Sequence, residues 1–140
     1  MEQALNQSIL HLLHRAGQVA DERFAKAIDP IDLTSRQLVV LGIVAANEGT
    51  SQTGIVEASG IDRSTLADIV RRLTTRGLLA RRRSKLDTRA YNVSMTAEGR
   101  RVLASASPIL ARIEADLLAV LSEKRRAELF AALGTLTASR

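Results

Sequence analysis

The chain has 140 residues, no cysteine and a formal charge of +5 at neutral pH. That length supports one good core, or a core plus an association surface, and the lack of cysteine excludes disulfides, thiolate metal sites, thiol redox sensing and cysteine nucleophiles. No basic region with a long apolar run opens the chain, and no apolar stretch approaches the roughly 20 residues of a membrane span, so the expectation is a soluble cytoplasmic protein without membrane contact.

Charge is concentrated. Residues 62–101 hold eleven Lys/Arg against four Asp/Glu, a net of +7, while the rest of the chain holds nine against eleven. A basic excess confined to one segment is the electrostatic footprint of a polyanion partner.

From Glu2 to about Ile28, Leu5, Ile9, Leu12, Leu13, Ala16, Val19, Ala20, Phe24 and Ile28 recur at helical spacing and predict one long amphipathic helix ended by the IDPID run around Pro30. His11 and His14 lie three apart on it, but a metal site needs more ligands than they supply, so surface or partly buried histidines are expected. Thr34 and Gln37 form a capping box at the start of a second helix, whose Leu38, Val39, Leu41, Ile43 and Val44 predict a buried central element. Asn47 to Thr50 make a turn, and Ser51 caps a short helix over residues 52–58 with Ile55 and Val56 inward.

After Ser59 and Gly60 comes the stretch GIDRSTLADIVRRLTTRGLL. Leu66, Ile69, Val70 and Leu73 form one apolar stripe, with Ser64, Asp68, Arg71 and Thr75 opposite and Thr65 and Arg72 on the flanks. Asp62 is the expected N-cap, and Gly77 with Leu78 closing back onto Leu73 a Schellman end. Hydroxyls and arginines on a firmly capped helix suit a DNA major groove. Taken alone, the segment is equally an ordinary amphipathic helix with a solvated polar face. Two short helices joined by a tight turn, the second bearing that face, constitute a helix-turn-helix.

The period then changes to two. Leu79 to Arg83 predicts a strand, and Tyr91, Val93 and Met95 alternate with Asn92, Ser94 and Thr96 as a second strand with one buried face. RRRSKLDTR between them predicts an exposed, basic ribbon tip from which Lys85 or Arg89 can enter a narrow minor groove, with Asp87 orienting Arg89. Thr96 caps a long helix whose stripe runs from Val102 to Leu121 and which Pro108 should bend. Ser122 caps a last helix bearing Leu129, Phe130, Leu133 and Leu136. The terminal helices are more apolar than one small domain can cover, and a second copy of the chain would cover them.

The order of elements, with LTSRQ, GIDRSTLADIVRRLTTRGLLAR and DTRAYNVSMTAEGR, resembles the MarR family of winged-helix regulators over nearly the whole chain. The most specific part is Asp87-x-Arg89 followed by the Thr96-x-x-Gly99 helix start; Met95 stands where the family usually has Leu. The resemblance implies an α+β, mainly α fold: a winged helix-turn-helix at 31–103, with dimerisation helices at 1–30 and 104–140. It also implies a homodimeric transcriptional repressor on a pseudo-palindromic operator in double-stranded DNA, with Arg89 in the minor groove and Asp87 positioning it. A small aromatic acid or phenol would release DNA from near the junction of the two parts, where His14, Arg15 and Arg36 are candidates to hold a carboxylate. The candidate DNA contacts are Arg63, Ser64, Thr65, Asp68, Arg71, Arg72, Lys85, Asp87 and Arg89. An alternative is a winged-helix module that turns its basic wing to an acidic protein partner. Phosphate-loop, metal-cluster and nucleophile-elbow motifs are absent, so neither an enzyme nor a cofactor is expected.

Overall fold

The computed structural model describes residues 2–86 and 90–138. The chain opens with two helices, α1 (Glu2–Asn6) and α2 (Ile9–Ile28), where the periodicity predicts one. The break lies at Ser8, whose backbone is extended and whose hydroxyl accepts from the His11 N–H at 3.1 Å. A serine offering its side chain to a helix start competes with the continuous helix, and periodicity does not register that competition. A 3-10 turn (Asp29–Ile31) around Pro30 ends α2 and delivers the chain to α3 (Ser35–Ala46). The capping box is present in both directions: Gln37 N–H donates to Thr34 Oγ1 at 3.1 Å, and Thr34 N–H to Gln37 Oε1 at 3.0 Å. Leu38, Val40, Leu41 and Val44 bury α3 in the centre, whereas Val39 is 48% exposed.

A short strand β1 (Thr50–Ser51), with no alternating pattern to announce it, precedes α4 (Gln52–Ser59), α5 (Arg63–Thr75), β2 (Leu79–Arg83) and β3 (Tyr91–Met95). The sheet is antiparallel in the order β1-β3-β2, with Leu79 opposite Met95 and Arg83 opposite Tyr91. On its inner face Leu79, Val93 and Met95 join the core, but Tyr91 is 38% exposed because the ribbon has by then run past the helices. Helix α6 (Ala97–Leu117) continues through Pro108, and α7 (Glu123–Ala138) follows a cap by Ser122. Among the described residues no helix is long and apolar enough to cross a membrane.

Where α5 hands over to β2, the packing has no slack. Leu78 N–H donates to Leu73 O and Gly77 N–H to Thr74 O, the two bonds of a Schellman end, and Gly77 has φ 77°. Thr96 then docks on this corner: its N–H donates to Leu78 O at 3.2 Å, its hydroxyl donates to Gly77 O at 2.6 Å and accepts from Gly99 N–H at 2.9 Å. A Cβ on Gly99 would lie 2.1 Å from Leu78 O, a backbone atom that cannot swing aside. Glu48, in the turn after α3, adds an ion pair with Arg100 and accepts from Met95 N–H at 3.2 Å. Gly99→Ala should therefore destabilise the fold by about 1–3 kcal/mol or more, as overpacking does, seen as a lower urea midpoint at unchanged slope. An unchanged midpoint would mean that the corner can open without cost.

Candidate nucleic-acid interface

Helix α5 divides its residues cleanly. Leu66, Ile69, Val70 and Leu73 are buried, and the opposite face is exposed. Asp62 caps the start: Oδ1 accepts from the Thr65 N–H at 2.9 Å and from the Ser64 hydroxyl at 3.2 Å, and Oδ2 accepts from the Thr65 hydroxyl at 2.7 Å. These bonds, led by the Thr65 backbone, hold the carboxyl below its ordinary 3.8. Ser64 and Thr65 thus donate their hydroxyl hydrogens to the cap and keep their lone pairs as acceptors.

Asp68 pairs with both arginines on the face, accepting from Arg72 Nε at 2.8 Å and from Arg71 Nη2. Hydrogen bonds from Arg72, then Arg71, lower its pKa. The ion pairs are exposed and contribute little stability, but they restrain two long side chains that keep other N–H groups free. Arg63 donates to Thr53 Oγ1 at 3.2 Å, linking α5 to α4. Arg76 faces away: Nη1 donates to Asp32 O at 2.6 Å and Nη2 to Ile31 O at 3.2 Å, straps across the turn where Asp32 takes φ 56°. Counting charge along the sequence groups Arg76 with the basic excess; its position at the helix end facing another loop is visible only in three dimensions.

On the ribbon, Arg81, Arg82, Arg83 and Lys85 are exposed. Asp87 and Arg89, the expected wing-tip pair, lie outside the described residues. Tyr91, a core residue by its alternation, lies instead between Arg81 and Arg83, each guanidinium carbon 5.6 Å from the ring centroid. The signal for this arrangement is the pairing register, which alternation alone does not supply.

A cleft of about 560 Å³ opens between α2, the start of α3 and α5, lined by Asp21, Phe24, Thr34, Arg36, Thr65, Asp68 and Arg72 among others. Ser35 spans its rim by donating to Asp21 Oδ1 at 3.1 Å. Of the three candidate carboxylate binders, Arg36 lines this cleft; His14 and Arg15 are exposed on α2, nearer its start, and are not part of the lining.

A rigid polar helix beside a basic β-ribbon, set on a three-helix core, defines a winged helix-turn-helix protein of the DNA-binding class. Residues 31–90 match the family model described as MarR family. The transcriptional regulator HosA of Escherichia coli is 34% identical over 127 residues, covering 91% of this chain and 92% of that protein. The transcriptional repressor CouR, solved bound to a 23-mer DNA duplex, superposes with a TM-score of 0.89 at 33% identity, covering 96% of this chain and 95% of that one. Bordetella bronchiseptica BpsR, whose DNA binding is regulated by 6-hydroxynicotinic acid, has a TM-score of 0.92 at 27% identity, covering 96% of each chain. The chain belongs to the MarR family of transcriptional regulators, which is not a family of enzymes.

Because the Asp62 pKa is lowered on folding, its carboxylate stabilises the protein above about 3.8, and that contribution is lost as pH falls through the lower folded value. Asp62→Ala should therefore melt below the parent at pH 7, with the gap narrowing as the solution is taken below 3.8. An equal gap at pH 7 and pH 3 would show that the cap acts without its charge.

Proposed function

We propose that the chain is a homodimeric transcriptional repressor that binds a pseudo-palindromic operator through one α5 per half-site and is released by a small aromatic acid. The observation that carries the DNA reading is the face of α5, firmly capped, polar and exposed, with Arg71 and Arg72 held by Asp68. Ser64 and Thr65, with their protons committed to Asp62, match amino donors on adenine or cytosine, and Arg71 matches guanine. Arg63 and Arg72 suit flanking phosphates, with Lys85 and Arg89 at the minor groove and Asp87 orienting Arg89.

The dimer reading rests on apolar surface that one copy leaves bare. Leu5, Ile9, Leu10, Leu12 and Leu13 are each at least 43% exposed, as is Phe130 at 84%, and α7 buries none of its residues. Exposed apolar residues gathered on terminal helices are the kind of surface that an interaction partner covers. It supports self-association through residues 1–30 and 104–140, with 31–103 as the DNA-binding unit.

The cleft between α2 and α5 supports the effector reading. It has an apolar floor at Phe24 and Ile69, and cations at Arg36 and Arg72, the chemistry that an aromatic carboxylate requires. Since Arg72 belongs to α5, a carboxylate drawing it from Asp68 would disturb the reading face directly.

Fluorescence anisotropy on a duplex from upstream of the protein's own gene, against scrambled duplex, tests the function. Nanomolar binding to the former with roughly thousandfold or weaker binding to the latter is expected. Arg71→Ala should change the preferred bases, and Arg89→Ala should cost on the order of 1–3 kcal/mol at every sequence alike. Equal, weak binding to both duplexes would refute this operator. In the same assay, 6-hydroxynicotinic acid, the regulator of BpsR, should release the duplex, and Arg36→Ala should raise the concentration needed about tenfold, as loss of one charged hydrogen bond does. Release unaffected by Arg36→Ala would move the effector elsewhere.

A further inference from the structure

The strand β2 carries three consecutive arginines, and the pleat separates them. Arg81 and Arg83 share the face of Tyr91, while Arg82 lies on the other face opposite Asn92. Each of the two sets its guanidinium carbon 5.6 Å from the Tyr91 ring centroid, and Arg83 Nη2 lies 3.4 Å from the Tyr91 hydroxyl. Neither arginine has a carboxylate partner among the described residues. Two cations held near one ring without a carboxylate beside them repel each other, and the ring's negative face offsets part of that repulsion. Beyond the N–H that Arg83 Nη2 turns to the Tyr91 hydroxyl, the two guanidinia keep further N–H groups, the kind that bind phosphate oxygens in a fork. Residues two apart in a strand are about 6.7 Å apart, so the two forks can take different phosphates.

We propose that Tyr91 is a positioning residue for DNA: its ring aligns Arg81 and Arg83 as a two-pronged phosphate clamp on the wing. The clamp rests on the reading of the protein as a DNA binder and adds to it a sequence-independent grip outside the reading helix. The ring limits the freedom that two long side chains lose on binding, so its removal weakens binding while the number of phosphates contacted stays the same.

The test is anisotropy of the full chain on a mixed-sequence 30-base-pair duplex across a salt series. Arg81→Ala and Arg83→Ala should each lower the slope of log affinity against log salt by about 0.9 per chain bound. Tyr91→Leu should weaken binding about three- to tenfold at fixed salt with the slope unchanged, and Tyr91→Phe, which keeps the ring, should stay within about twofold of the parent. The Tyr91→Leu loss should vanish in the Arg81→Ala/Arg83→Ala background and persist in Arg82→Ala. The Arg81→Lys/Arg83→Lys variant, with charge kept and stacking weakened, should lose as much as Tyr91→Leu, and it serves as the deciding variant if Tyr91→Leu fails to fold. Parent-like binding by Tyr91→Leu, or a loss that persists without the two arginines, would overturn the clamp alone. A parent protein showing no salt-dependent binding to the duplex would overturn the DNA reading and the clamp together.

Discussion

Three elements meet within one hydrogen bond of each other at the corner made by Gly77, Leu78, Thr96 and Gly99, and the geometry of the winged helix-turn-helix depends on that corner. The carbonyls of Gly77 and Leu78 serve as acceptors for Thr96, while Gly99 lies against Leu78 O where any side chain would collide. The end of α5, the start of β2 and the start of α6 are thereby held in one arrangement. The orientation of the ribbon relative to α5 follows from it, because β2 leaves the corner directly and β3 returns to it.

Around that corner the chain separates two kinds of surface. The core is aliphatic almost throughout, and among the described residues it holds no buried polar or charged side chain. Polar chemistry is displaced to the outer face of α5 and to the ribbon, where ion pairs serve to restrain side chains more than to stabilise the fold. The apolar remainder is pushed to the two ends of the chain. A core of this type gives rigidity and leaves selectivity to a few exposed groups.

Most of the architecture is legible in the residues because its signals are local. The Thr34–Gln37 box, the Asp62 cap, the Schellman end at Gly77 and the strand at Leu79–Arg83 each depend on neighbours within a few positions. What stays hidden depends on partners distant in sequence: β1 exists because Thr50 and Ser51 meet Val93 and Asn92, Glu48 reaches Arg100, and Arg76 reaches the turn at Asp32. Tyr91 departs from its expected burial because alternation tells which face a residue occupies and not how far the core extends along it. The break at Ser8 escapes the pattern for a different reason, since the two residues that leave the helix there, Gln7 and Ser8, are polar and lie outside the apolar stripe from which the helix is read. In the interface, the pairing of Asp68 with Arg71 and Arg72 follows from spacing along one helix, whereas the hydrogen bonds that the Ser64 and Thr65 hydroxyls donate to the Asp62 cap depend on the rotamers.

The strap from Arg76 to the carbonyls of Ile31 and Asp32 gives the molecule a stiff elbow. The long helix α2 enters the winged helix-turn-helix through that turn, and the turn is fastened to Arg76, the cap at the end of α5, rather than left to swing. The two bonds tie the end of α2 to the end of α5 across the turn. The set of α2 against α5 is then a property of the skeleton, like the opening of a pair of calipers, and not of a flexible tether.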